Sequence, residues 1–196
     1  MLDIWMTRRP NKDSNWSVPV NVGATVNSTD DDQAPFISAN GRELFFSSSR
    51  YGDFDIWVAR RPTQDSIWST PTILQPMINS IYAERSATLS PDERWLVLES
   101  NRRGGYPHSN SDIYATYRKT PESEWSHPIL VSNSANLHAD EEHPCFSDDG
   151  QCVYFSDHTR WLQHPGRLPG GCGSDDLWQS EVFWPNDPEA GSDVGP

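Results

Sequence analysis

The sequence predicts an all-β fold: a β-propeller, partial or small, of about three to four blades with four antiparallel strands each. Three observations carry the prediction. Four short markers recur along the chain in a fixed order, at intervals typical of propeller and solenoid repeats. Asn-Gly and Asp-Gly pairs punctuate short apolar runs, and long helix-forming runs are missing. One strand of each unit is apolar on both faces, as expected where sheet stacks on sheet.

Residues 1–28 supply only the last two strands, C and D, of a first blade. Asp3-Ile4-Trp5 opens strand C, Trp16-Ser17-Val18-Pro19 leads to strand D, and Val26-Asn27-Ser28 closes the unit. Residues 29–80 form a complete blade. Strand A ends at Ser38, and Asn40-Gly41 is the hairpin turn, where glycine reaches positive φ without a Cβ penalty. Leu44-Phe45-Phe46 is strand B, Asp55-Ile56-Trp57 opens strand C, and Trp68-Ser69-Thr70-Pro71 precedes strand D at Ile73-Leu74.

Residues 81–137 repeat the order with Ser90, Leu96-Val97-Leu98, Asp112-Ile113-Tyr114, Trp125-Ser126-His127-Pro128 and Ile129-Leu130-Val131. Asp92-Glu93 stands at the turn, so a different turn type is expected there. Residues 138–183 give strands A, B and C of a last, partial blade through Ser147, Asp149-Gly150, Val153-Tyr154-Phe155 and Asp176-Leu177-Trp178. Residues 184–196, rich in Pro, Gly and acid, are expected to be a disordered tail. The repeated triplet Asp is expected to cap the turn into strand C through local hydrogen bonds. The repeated Trp are expected to pack between blades, with carbohydrate stacking as the alternative.

Pro35-x-x-Ser38-x-x-Gly41, the apolar strand, Ser48-Ser49-Arg50-x-Gly52 and Asp55-Ile56-Trp57 together resemble the WD40-like, TolB-type β-propeller repeat of bacterial secreted and periplasmic proteins. The resemblance runs from Asp3 to about Phe183 and is best over Pro35–Trp57. It implies a propeller with a protein-interaction or ligand-binding face and a periplasmic or secreted setting, and it brings no catalytic motif. Exposed blade edges invite pairing, so a distorted small ring, an open arc, or closure and self-association through another chain are the expected outcomes. A start inside a blade also raises the reading of a degenerate fragment of a larger propeller.

Composition narrows the partners. Formal net charge is −13, with 28 Asp and Glu against 15 Lys and Arg, which disfavours nucleic acid and anionic lipid. Mean hydropathy is −0.72 and no run suits membrane insertion. The first ten residues lack the basic-then-apolar order of a signal peptide. Cys145, Cys152 and Cys172 show no metal spacing; a disulfide between Cys145 and Cys152 depends on geometry.

Candidate binding residues lie in the loops entering strand A, expected at the rim of the central channel. They are Asp31 and Asp32, Glu84 and Arg85, and Glu141, Glu142 and His143, with Trp161 from the long loop before the last triplet. No cofactor is expected. The rim carboxylates leave Ca²⁺ as a low-ranking ligand, since hard cations take several oxygen donors. G-x-S-x-G, H-E-x-x-H and Walker signatures are absent, so the chain reads as non-catalytic, with a protein or peptide partner. The alternative is a glycan-binding or glycoside-hydrolase-like propeller using rim carboxylates such as Glu142.

Overall fold

The computed structural model describes residues 1–102, 111–131, 140–158 and 175–181. Thirteen strands form four antiparallel sheets and no helix is present among these residues. The first sheet pairs β1 (Trp5–Met6) with β2 (Val20–Asn21). The second has the order β3 (Asp32–Ile37), β4 (Glu43–Tyr51), β5 (Asp53–Arg60), β6 (Thr72–Ile73). The third repeats it with β7 (Glu84–Leu89), β8 (Trp95–Ser100), β9 (Asp112–Tyr117) and β10 (Ile129–Leu130). The fourth comprises β11 (Asp140–Phe146), β12 (Cys152–His158) and β13 (Asp175–Glu181). The fold is the all-β propeller class, in sheets of two, four, four and three strands.

Three apolar cores lie between successive sheets. Ile4 and Val26 meet Leu44, Phe46 and Trp57. Phe45, Ile56, Val58 and Ile78 meet Leu89, Leu96 and Leu98. Val97, Ile113 and Val131 meet Val153 and Phe155. β4 and β8 thus each serve two cores: in β4, Leu44 and Phe46 face one way and Phe45 the other, which accounts for its unbroken apolar run. The Asn of the Asn-Ser marker ties the end of each unit back to its own triplet. Asn27 accepts from Ile4 N–H at 2.9 Å and donates to Ile4 C=O at 3.1 Å; Asn79 does the same to Ile56 at 2.8 and 3.0 Å.

Two local expectations are corrected. The Asp92-Glu93 turn matches its counterparts: Glu93 (φ 59°) stands where Gly41 (φ 68°) and Gly150 (φ 71°) do. Its strain is offset because its carboxylate accepts from Asn40 and its C=O from Arg118 Nε. The expected cap at Asp55 does not form; its side chain makes no hydrogen bond among the described residues. Asp3 accepts from Asn21 Nδ2 at 2.7 Å, but Ile73 occupies the register position of Asn21 beside Trp57, so Asp55 lacks that donor.

The open disulfide question also receives an answer. Cys145 and Cys152 are not joined to each other, and Tyr154 lies opposite Cys145 in the ladder. Cys172 lies outside the described residues.

Candidate functional site

The first strand of each of the last three sheets, β3, β7 and β11, carries a bulge. Ladder register shifts between Gln33 and Phe36, Arg85 and Thr88, and Glu142 and Cys145. At each shift a non-glycine residue sits at positive φ: Ala34 (49°), Ser86 (51°) and His143 (54°). The bulges align Asp32, Glu84 and Glu141, two residues before each, and turn all three inward.

Asp32 and Glu84 are buried clasps. Asp32 accepts from Ser28 N–H and Oγ at 2.5 and 2.9 Å and from Arg50 at 2.7 Å. Glu84 accepts from Ser80 N–H and Oγ at 2.8 and 2.7 Å, from Ser100 at 2.8 Å and from Arg102 at 3.2 Å. Burial alone would raise the Asp32 pKa; the Ser28 N–H, then Ser48, Arg50 and the Ser28 hydroxyl outweigh it and hold the carboxyl below its usual range. Their oxygens face protein donors, and the two clasps join consecutive units. Glu141 is equally buried, with its N–H donating to Ser111 C=O at 3.0 Å. Asp31 accepts from Leu2 N–H at 2.7 Å.

The remaining rim residues gather around Glu99, which the sequence reading missed because it lies inside strand β8. Arg85 stands 3.7 Å from the buried Glu99 carboxylate and stacks over Phe54 at 4.7 Å. Burial, then the nearby Glu142, raises the Glu99 pKa, while Arg85, Ser111 and His143 oppose the rise. Glu142 lies 4.0 Å from the exposed His143 ring. Burial, then Glu84 and Asp53, pushes Asp55 up to about 6. Among the described residues no three His, Cys, Asp or Glu side chains converge as a metal site. Trp161 lies outside the described residues.

A different feature offers open space. Between the first and second sheets runs a cleft of about 560 Å³, walled by Trp5, Trp16, Ile37 and Trp68 and carrying Arg8 and Arg61. Trp5 and Trp16 are each 59% exposed, whereas Trp57 and Trp125, at the same positions of later units, are 5% and 4% exposed. The edge of β1 away from β2 has no strand partner among the described residues. Arg9, Arg61 and Arg118 recur at one position, each over the Trp of its own marker at 4.5, 4.1 and 4.4 Å. The Arg–Trp platform thus recurs three times among the described residues, and Trp16 is the most exposed of its tryptophans.

No family model matches the chain, and no curated protein matches it in sequence. Among solved structures it is similar to TolB from Acinetobacter baumannii, at 14% identity and a TM-score of 0.51. That similarity covers 84% of this chain and 33% of the other. It is also similar to a TolB-assigned protein from Agrobacterium tumefaciens, at 17% identity and a TM-score of 0.55, over 90% of this chain and 56% of that one. The chain therefore spans about a third and just over half of these structures. At such identity the likeness concerns the fold.

Proposed function

We propose that the chain is a non-catalytic propeller scaffold that binds a protein or peptide partner, and that the cleft between its first and second sheets is the binding surface. The observation that carries this reading is the pair of half-exposed tryptophans, Trp5 and Trp16, in a cleft also walled by Ile37 and Trp68. Aromatic side chains with an apolar body and a polar tip suit recognition surfaces. The rim supports a scaffold more than a catalyst, because Asp32 and Glu84 are tied to serines and arginines. The charged cluster of Arg85, Glu142 and His143 provides a second polar surface on the channel side.

The test is a panel of extended apolar and acidic peptides, read by intrinsic tryptophan fluorescence. Saturable binding that Trp16→Ala weakens by about tenfold supports the reading, a loss of the size expected for an exposed aromatic anchor. Absence of any binder, or binders indifferent to Trp16→Ala, removes the cleft from consideration. Saturation by oligosaccharides in place of peptides would move the chain to the glycan-binding alternative.

A further inference from the structure

We propose that Asn40-Gly41 is a site of spontaneous covalent modification, that conversion of the Asn40 amide to a carboxylate unlocks the joint between the second and third sheets, and that Glu93 holds this reaction in check. The site is independent of the cleft and of its ligand.

The chemistry needs only solvent. The Gly41 nitrogen gives up its proton and bonds to Asn40 Cγ. The Cγ–Nδ2 bond breaks, and Nδ2 leaves as ammonia. Water then opens the resulting succinimide at either carbonyl and leaves aspartate or isoaspartate, with no oxidation or reduction. Asn40 is exposed, so water reaches it, and Gly41 has no side chain to hinder the attack.

In the closed joint each reacting group is held. Gly41 N–H donates to Ser38 C=O at 2.8 Å, which hinders loss of its proton. Asn40 Oδ1 accepts from Arg42 N–H at 2.8 Å and from Ser38 Oγ at 3.0 Å. Asn40 Nδ2 donates to one Glu93 oxygen at 3.0 Å, and Asn40 N–H reaches the other at 3.3 Å. Gln64 Nε2 donates to Asn40 C=O at 3.2 Å. The side chain cannot rotate to meet the Gly41 nitrogen without leaving Glu93. Glu93 is buried and belongs to the next sheet, so this restraint lasts only while the joint is closed.

The other turns show what the product would meet. Asp92 and Asp149 occupy the position of Asn40 and make the same Oδ1 contacts, Asp92 with Ser90 Oγ and Arg94 N–H, Asp149 with Ser147 Oγ and Gln151 N–H. A carboxylate therefore suits the turn itself. The difference lies in the facing turn. Gly150 stands where Glu93 does, and a Cβ there would lie 3.2 Å from Pro91 Cδ, beside Asp92. An acid at the turn is thus matched by glycine in the next sheet, and the amide of Asn40 by glutamate. Aspartate at this position would set two carboxylates against each other in a part-buried joint. Isoaspartate would in addition lengthen the backbone within the turn.

The test follows conversion at Asn40 by peptide mass spectrometry in the full chain and its Glu93→Gly variant, both kept in mildly alkaline buffer. Glycine suits the positive φ at position 93, as Gly41 and Gly150 show, so the variant should fold as the parent does, checked by circular dichroism. Glu93→Gly should speed conversion by about tenfold, the size of one charge-assisted hydrogen bond lost from the resting state. The parent unfolded in urea should react faster still. Asn40→Asp, which copies the product, should lower the folding equilibrium constant by about tenfold, because a charge-assisted hydrogen bond becomes a like-charge contact. In the Glu93→Gly background the same change should cost little, since the pair then reproduces that of Asp92 and Gly150.

An unchanged conversion rate in Glu93→Gly, or a parent that converts as fast folded as unfolded, overturns the part given to Glu93. Absence of conversion even in urea removes the modification site. An Asn40→Asp chain as stable as the parent, or one destabilised equally with and without Glu93→Gly, overturns the unlocking.

Discussion

The interface between the first and second sheets and the one between the second and third are built from the same sequence markers, yet the first buries fewer of its marker residues. In the second, β4 and β5 present Phe45 and Val58 to Leu89, Leu96 and Leu98, and Trp125 closes the outer end. In the first, two strands stand where four do later, so Trp5, Trp16 and Ile37 remain accessible. The latch is nevertheless the same in both: Asn27 and Asn79 hold Ile4 and Ile56 through identical pairs of hydrogen bonds. Polar joints within a unit are therefore local, set by residues of one connection, whereas apolar burial needs the whole neighbouring sheet.

The sharpest way to break this comparison is to truncate equivalent residues. Leu89→Ala should cost about 3–4 kcal/mol, in the range for a buried leucine that leaves a cavity. Ile37→Ala, at the same ladder position, should cost less than about 1 kcal/mol, since half of its surface is already wet. Equal losses in urea unfolding would mean that the first interface is closed in solution. Next in size is the platform. Arg118→Ala should cost about 3 kcal/mol, because it strips Glu43 of a buried partner and uncovers Trp125. Arg9→Ala removes an exposed stack on Trp16 and should cost about 0.5 kcal/mol. A comparable loss at Arg9 would show that the first platform bears load.

The latch sharpens the contrast. Asn79→Ala and Asn27→Ala should each cost about 2 kcal/mol, because each leaves the buried N–H of the triplet Ile without its acceptor, while the Ile C=O keeps only the N–H of Leu74 or Val22. A gap between the two variants as large as that expected for Leu89 and Ile37 would tie the polar joint to packing after all.

These contrasts also mark what the sequence could disclose. Repeat order revealed the strands and sheets, because Ser38, Ser90 and Ser147 end the first strand of each unit and the apolar run follows each turn. The rim was legible as a row of acids but not as clasps. Whether Asp32 faces solvent or Arg50 depends on a bulge at Ala34, whose positive φ no glycine advertises. The same holds at Glu93. The cleft was hidden for a different reason: Trp16 and Trp125 sit in nearly the same words, and only the presence of a neighbouring sheet separates them. Exposure is a property of what packs against a residue, and a marker carries no record of it.

The smallest effect concerns the triplet carboxylates. Asp3 receives a hydrogen bond from Asn21, while Asp55 has Ile73 in that place and lies near Glu84 and Asp53. Burial and those charges push Asp55 from 3.8 to about 6. The folded chain therefore binds a proton there more tightly than the unfolded chain does. By linkage, this group favours folding below about pH 4 and progressively disfavours it as pH rises through about 6. Asp55→Asn removes the penalty, so the variant should be about 1–2 kcal/mol more stable than the parent near pH 7, after discounting for partial exposure. The gain should shrink toward zero near pH 4, because the parent's own carboxyl is then protonated. Urea unfolding of both chains at several pH values isolates the effect, since every other titrating group is shared. A stability difference that stays constant with pH would show that Asp55 ionises as freely in the folded chain as in the unfolded one.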